Sequence, residues 1–172
     1  MKRSGRNIRQ RLYGLTLIGN RLSRIRHFRG HGVHSPFVYN LVRKVFMSKT
    51  LPECGEHPLY EALISLGESS RRAIELQNMM YHLGYTTFSI DSPSAECQLC
   101  IVTSDFPLQQ VEQLLAQAVE RGTTLLLLAP YLSRERRMLC QQIIASHRST
   151  SVDNRGYLIL FNNNLPKQHY RL

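Results

Sequence analysis

The run Gln98-Leu99-Cys100-Ile101-Val102-Thr103 and the run Thr123-Thr124-Leu125-Leu126-Leu127-Leu128 enclose residues 107–121, where Leu108, Val111, Leu115 and Ala118 recur at helical spacing. The second run is almost wholly apolar, as a strand covered on both faces must be. Gly122 stops the helix between them. A second helical pattern spans residues 131–147 through Leu132, Leu139 and Ile143. A short strand at 150–153, a turn at Asn154-Arg155-Gly156 and a strand at 157–161 follow, which together signal a hairpin. A further strand at 86–90 makes the order from residue 86 β-β-α-β-α-β-hairpin-β. Strand–helix–strand order requires parallel strands joined by right-handed crossovers. The expected fold is therefore a three-layer α/β sandwich, its sheet mainly parallel with one antiparallel strand from the C-terminal hairpin.

Upstream, the chain reads as helices. Ser35-Pro36 is a helix start, because serine caps free amides and proline's missing N–H costs nothing at the first position. Phe37, Val38, Leu41, Val42, Val45 and Phe46 then form an apolar stripe that must be buried. A loop at 51–58 precedes helices at 59–66 and 69–83, separated by Gly67. Residues 8–28 read as a basic helix weakened by Gly14 and Gly19.

The 172 residues are 42% hydrophobic and 20% charged, which suits one domain with a real core. No apolar run approaches the length of a membrane-spanning helix. Four scattered cysteines (Cys54, Cys97, Cys100, Cys140) do not make a disulfide scaffold. The basic start is followed by an apolar stretch, residues 15–19, too short for a secretory leader, so a cytoplasmic protein is expected. Net charge is +10 and unevenly spread: residues 1–52 carry twelve Lys and Arg with no acid, residues 53–172 ten against twelve. The division this suggests is a basic helical arm, 1–50, packed on a body, 51–172. Arg9, Arg11, Arg21, Arg24, Arg26, Arg29, Arg43 and Lys44 have no acidic neighbour in sequence and form a candidate polyanion-binding surface. Nucleic acid, an anionic membrane surface and plain solvent are the alternatives for what it meets. Tyr13 and Phe28 are too sparse for a base-stacking platform.

The segment His31-Gly32-Val33-His34-Ser35-Pro36-Phe37-Val38-Tyr39 resembles the N-terminal motif of a bacterial class I S-adenosylmethionine-dependent methyltransferase-like family. The tail is similar as well, in Gly156-Tyr157-Leu158-Ile159-Leu160-Phe161 and Leu165-Pro166-Lys167-Gln168-His169-Tyr170. The resemblance covers residues 25–48 and 98–172. It implies a Rossmann-like sheet ending in a reversed strand, with residues 51–172 a reduced methyltransferase-type domain. Members that bind the cofactor end a strand in acidic-x-Gly-x-Gly, letting bare backbone approach the nucleotide. Here the only candidate, Ile64-Ser65-Leu66-Gly67-Glu68-Ser69, has one glycine, and the run at 123–128 ends in Leu128-Ala129-Pro130 without an acidic pair.

Other chemistry-bearing residues read as structural. His27, His31 and His34 are spaced i, i+4, i+7, but Gly30 and Gly32 interrupt the helix a metal would need, so no metal site is expected. Cys97 and Cys100, placed on a strand, should face opposite sides as small buried hydrophobes. Asp91, Glu96 and Asp105 lie beside strand ends, where ligands bind in open sheets; Asp105 and Ser133 read as helix caps. No nucleophile stands beside a base at a spacing worth naming. The resulting expectation is a non-catalytic methyltransferase-like binding or scaffold protein without cofactor, with a protein partner or a second copy as its company. The alternatives are a methyltransferase that holds S-adenosylmethionine in an unconventional or shared site, and a basic nucleic-acid-associated protein.

Overall fold

A computed structural model describes residues 34–53, 55–92, 94 and 96–172. The basic helix expected at 8–28 lies outside the described residues, as do Arg9, Arg11, Arg21, Arg24, Arg26, Arg29, His31 and Gly32. Helix α1 (Pro36–Leu41) begins as its sequence dictates, with the Ser35 side chain accepting the Val38 N–H at 3.4 Å. It continues into a wider π-helical turn, Val42–Phe46, closed by the Met47 N–H to the Val42 carbonyl at 3.1 Å. An α-helix carrying pairs of apolar residues every four positions would turn its stripe by about 40° per step. The wider turn reverses that drift and keeps Val42, Val45 and Phe46 buried beside Val38 and Leu41.

Helices α2 (Pro58–Ser65) and α3 (Ser70–Leu83) pack together, with Gly67 at φ +80 in the turn between them. Then come β1 (Phe88–Ile90), β2 (Leu99–Val102), α4 (Leu108–Arg121), β3 (Thr124–Leu128), α5 (Arg134–Ser146), β4 (Ser151–Asp153), β5 (Tyr157–Leu160) and β6 (His169–Arg171). The order across the sheet is β1-β2-β3-β5-β4-β6. β1, β2 and β3 run parallel, β5 is antiparallel to both its neighbours, and β6 returns parallel to β4. The fold is thus α/β with a mixed, mostly parallel sheet and an antiparallel hairpin strand. Edge strand β6 was not expected; three residues in an exposed, half-buried, exposed pattern carry no apolar signal.

Side-chain alternation along the strands divides the interior in two. Leu99, Ile101, Leu126, Leu128, Val152, Tyr157 and Ile159 meet α1, the π turn, α2 and α3. Cys100, Val102, Leu125, Leu127, Leu158 and Leu160 meet α4 and α5. A buried polar link ties α3 to the hairpin. The Tyr157 hydroxyl donates to Glu75 at 3.0 Å and accepts from Asn154 Nδ2 at 2.6 Å, while Arg71 Nε holds the other Glu75 oxygen at 3.0 Å. Burial, then the Glu75 charge, pushes the Tyr157 phenol well above its ordinary pKa, so it stays a donor. Among the described residues no helix is long and apolar enough to cross a membrane.

Gly122 ends α4 at φ 68, and its N–H returns to the Val119 carbonyl at 3.2 Å. A methyl group there would meet only the Asn162 carbonyl at 3.8 Å, so the left-handed backbone alone is at stake. Gly122→Ala should cost about 1 kcal/mol and lower the melting temperature by about 3 °C in a thermal denaturation followed by circular dichroism.

Candidate functional site

In open α/β sheets ligands lie at the carboxyl ends of parallel strands. Here those ends are occupied by side chains of the protein itself. Asp91, which follows β1 at φ 58, accepts the Thr103 N–H at 2.7 Å and the Thr103 hydroxyl at 2.6 Å, one bond on each oxygen. This ties the end of β1 to the end of β2. Arg136, on the first turn of α5, is 2% exposed, and its Nη2 donates to the Thr103 carbonyl at 2.8 Å and the Leu128 carbonyl at 3.0 Å. One guanidinium therefore spans the ends of β2 and β3. Sequence reading did not single out Arg136, although a signal was available: it lies four residues before Cys140 and seven before Ile143, on the buried stripe of its helix.

The motif around Ser35 does mechanical work. Ser35 caps α1, Val38 is buried, and the Phe37 ring meets Phe161 edge-on at 5.0 Å, anchoring α1 at the end of β5. His34, Pro36 and Tyr39 are exposed. Arg43 and Lys44 are exposed on the π turn and have no ion pair among the described residues. Burial, and then the charge of Lys44, lower the His82 pKa, which puts Lys44 beside the C-terminal turn of α3.

Two expectations need correction. Cys97 and Cys100 lie in the same hydrophobic layer, together with Cys140, rather than on opposite faces. Strand β2 begins at Leu99, the Gln98 side chain accepts the Thr86 N–H at 2.7 Å, and Cys97 precedes the strand alternation. Burial pushes the Cys100 and Cys140 thiols up to about 11, so neither is a ready nucleophile at neutral pH. Asp105 caps nothing: α4 starts behind Pro107 without a side-chain cap, and Asp105 is exposed, as is Glu96. Ser133 does cap α5, accepting the Arg136 N–H at 3.1 Å. Among the described residues no three His, Cys, Asp or Glu side chains gather as a metal site.

A cavity of about 300 Å³ opens between α5 and the β4–β6 edge. Arg137, Cys140, Gln141 and Ile144 line it from one face of the helix, at i, i+3, i+4 and i+7. Asp153, Leu158, His169 and Arg171 line it from the sheet. Asp153 is 3% exposed; it accepts the Tyr131 hydroxyl and, at 3.1 Å, the Arg155 N–H. Ser151 Oγ and His169 Nδ1 stand 2.9 Å apart, a hydroxyl–imidazole pair that the register of β4 on β6 creates and sequence spacing hid. Ser151 is 2% exposed, which keeps its hydroxyl from an incoming substrate.

The chain matches no family model, no curated protein and no solved structure.

Removing the Arg136 guanidinium would strand the Thr103 and Leu128 carbonyls. Arg136→Gln should cost about 2–3 kcal/mol in urea unfolding. Arg136→Lys should recover less than half of that, since a compact ammonium lacks the planar fork that spans two acceptors. A cost below about 0.5 kcal/mol, an ordinary surface effect, would mean that the guanidinium does not bridge these strands.

Proposed function

We propose that this chain is a non-catalytic, methyltransferase-like binding or scaffold protein, built as a three-layer α/β sandwich. The observation that carries this reading is the occupation of the β1–β3 carboxyl ends by Asp91 and Arg136. The residues there do not fit S-adenosylmethionine. An adenosyl group needs bare backbone at a strand end and an acceptor for its ribose. Arg136 instead places a buried cation across the β2 and β3 ends, and both oxygens of Asp91 already hold Thr103. Gly67, the single glycine of the candidate loop, sits between two helices and not after a strand. The resemblance of the Ser35 and Tyr157 segments, and the antiparallel strand between two parallel ones, support descent from a methyltransferase-type sheet.

Titration calorimetry of the full chain with S-adenosylmethionine should give no binding tighter than about 1 mM. A micromolar dissociation constant would overturn the reading and favour a methyltransferase with an unconventional site.

A second reading, polyanion binding, rests on the exposure of Arg43 and Lys44 and on the concentration of basic residues before residue 52. The expected behaviour is retention on immobilised RNA or DNA that falls steeply with salt. Replacing Arg43 and Lys44 by alanine should reduce the slope of log affinity against log salt by about one per lost phosphate contact. Replacing Arg21, Arg24 and Arg26 should do the same. Unchanged elution from both variants would make the basic residues a solvated face.

A further inference from the structure

We propose that the cavity between α5 and the β4–β6 edge binds a small organic acid, its carboxylate or phosphate group held by Arg137 and Arg171 and its apolar body lying on Ile144 and Leu158. The site is separate from the strand ends discussed above and does not depend on the reading given to them. Its volume of about 300 Å³ is at the lower end of small-ligand pockets.

Charge decides the class of ligand. The cavity walls hold two arginines and a single carboxylate, Asp153. That carboxylate is buried, and its two oxygens already accept the Tyr131 hydroxyl and the Arg155 N–H. These neutral donors hold it in place without cancelling its charge, so the walls balance two positive charges against one negative. Arg137 and Arg171 are exposed, and neither has a carboxylate within ion-pair distance among the described residues. Two guanidinium groups against one carboxylate leave the cavity one positive charge in excess, and a planar fork of donors matches a carboxylate or phosphate in two-point contact. The cavity also has an apolar wall, which a bare inorganic ion would leave uncovered. An acid carried on a hydrocarbon or aromatic body uses both surfaces.

The register explains why the parts converge. Asp153 is paired directly with Arg171, and Ser151 with His169, so all four share one sheet face. The α5 residues at i, i+3, i+4 and i+7 form the opposite wall. His169 is held by Ser151 at 2.9 Å, which fixes one side of the entrance.

The test is an NMR titration of the full chain at low ionic strength with sodium benzoate and with phenyl phosphate, and with benzamidine as a cationic control. At least one anion should shift the backbone amides of Tyr131, Gln141 and Arg171, with a dissociation constant of about 1 mM or tighter. Whichever binds identifies the acid as carboxylate or phosphate. Arg137→Gln and Arg171→Gln, both at exposed positions, should each weaken binding about tenfold without lowering the melting temperature. Gln141→Glu, which adds an anion to the wall, should weaken it too. No shift with either anion would overturn the proposal. So would binding that survives in the Arg137→Gln, Arg171→Gln double variant, which would place the anion on the basic N-terminal residues. Equal binding of benzamidine would overturn it as well. Repeating the S-adenosylmethionine calorimetry on the Arg137→Gln, Arg171→Gln double variant separates binding in this cavity from binding at the strand ends, so the two proposals fail independently.

Discussion

Burial of both faces of β3 is the constraint from which the rest of the arrangement follows. All five of its residues are buried, with Leu125 and Leu127 in one hydrophobic layer and Leu126 and Leu128 in the other. A strand with no polar face needs a cover on each side. The crossover helices α4 and α5 supply one, since a right-handed β-α-β path returns its helix to a fixed side of the sheet. The other must come from residues before β1, and α1, α2 and α3 are apolar on the surface that meets it. Burying a leucine side chain is worth about 2 kcal/mol against leaving it exposed. The four leucines of β3 alone therefore make a large contribution to the placement of helices that precede them by 40 residues and more.

The same burial creates a polar problem at the carboxyl ends of the strands. Backbone carbonyls there have left the ladder and are closed off from water by α5, so each needs a donor. In nucleotide-binding sheets a glycine-rich turn and a helix N-terminus meet at this place and the ligand completes the bonding. Here Arg136 supplies donors to Thr103 and Leu128, and Asp91 accepts from Thr103. A buried guanidinium is costly to desolvate, and what offsets the cost is that its charge is met by several carbonyl dipoles in fixed positions. The proposed absence of methyl transfer thus rests on how these carbonyls are satisfied, a packing question with a chemical consequence.

What could be read from the sequence was whatever carried a strong periodic or conformational signal. The apolar run at 123–128, the helix closed by Gly122, and the serine caps at 35 and 133 all appear in place. Ser69 caps α3 in the same manner. Features that rest on a side chain bonding a distant stretch of backbone were not legible. Gln98 takes the Thr86 and Thr87 amides through Oε1 at 2.7 and 3.3 Å, and β2 starts one residue after it, leaving Cys97 outside the strand alternation. β6 was hidden because an exposed edge strand of three residues has no buried face to reveal its period. The cavity was hidden with it, since half of its wall exists only once β6 has paired with β4.

Arginine shows how far environment outweighs residue type in this fold. Arg71 and Arg72 are neutralised one turn away, by Glu75 and Glu68. Arg43 stands in solvent on the π turn. Arg136 is buried across the strand ends, and Arg137, its neighbour, lines the cavity. A step of one residue turns an α-helix by about 100°, so adjacent side chains cannot face the same surface. On α5 that angle separates a guanidinium that fills the usual ligand position of a parallel sheet from one that leaves its charge at the mouth of another opening. The helix that closes the strand ends therefore also forms a wall of the cavity, and the same 13 residues carry both outcomes.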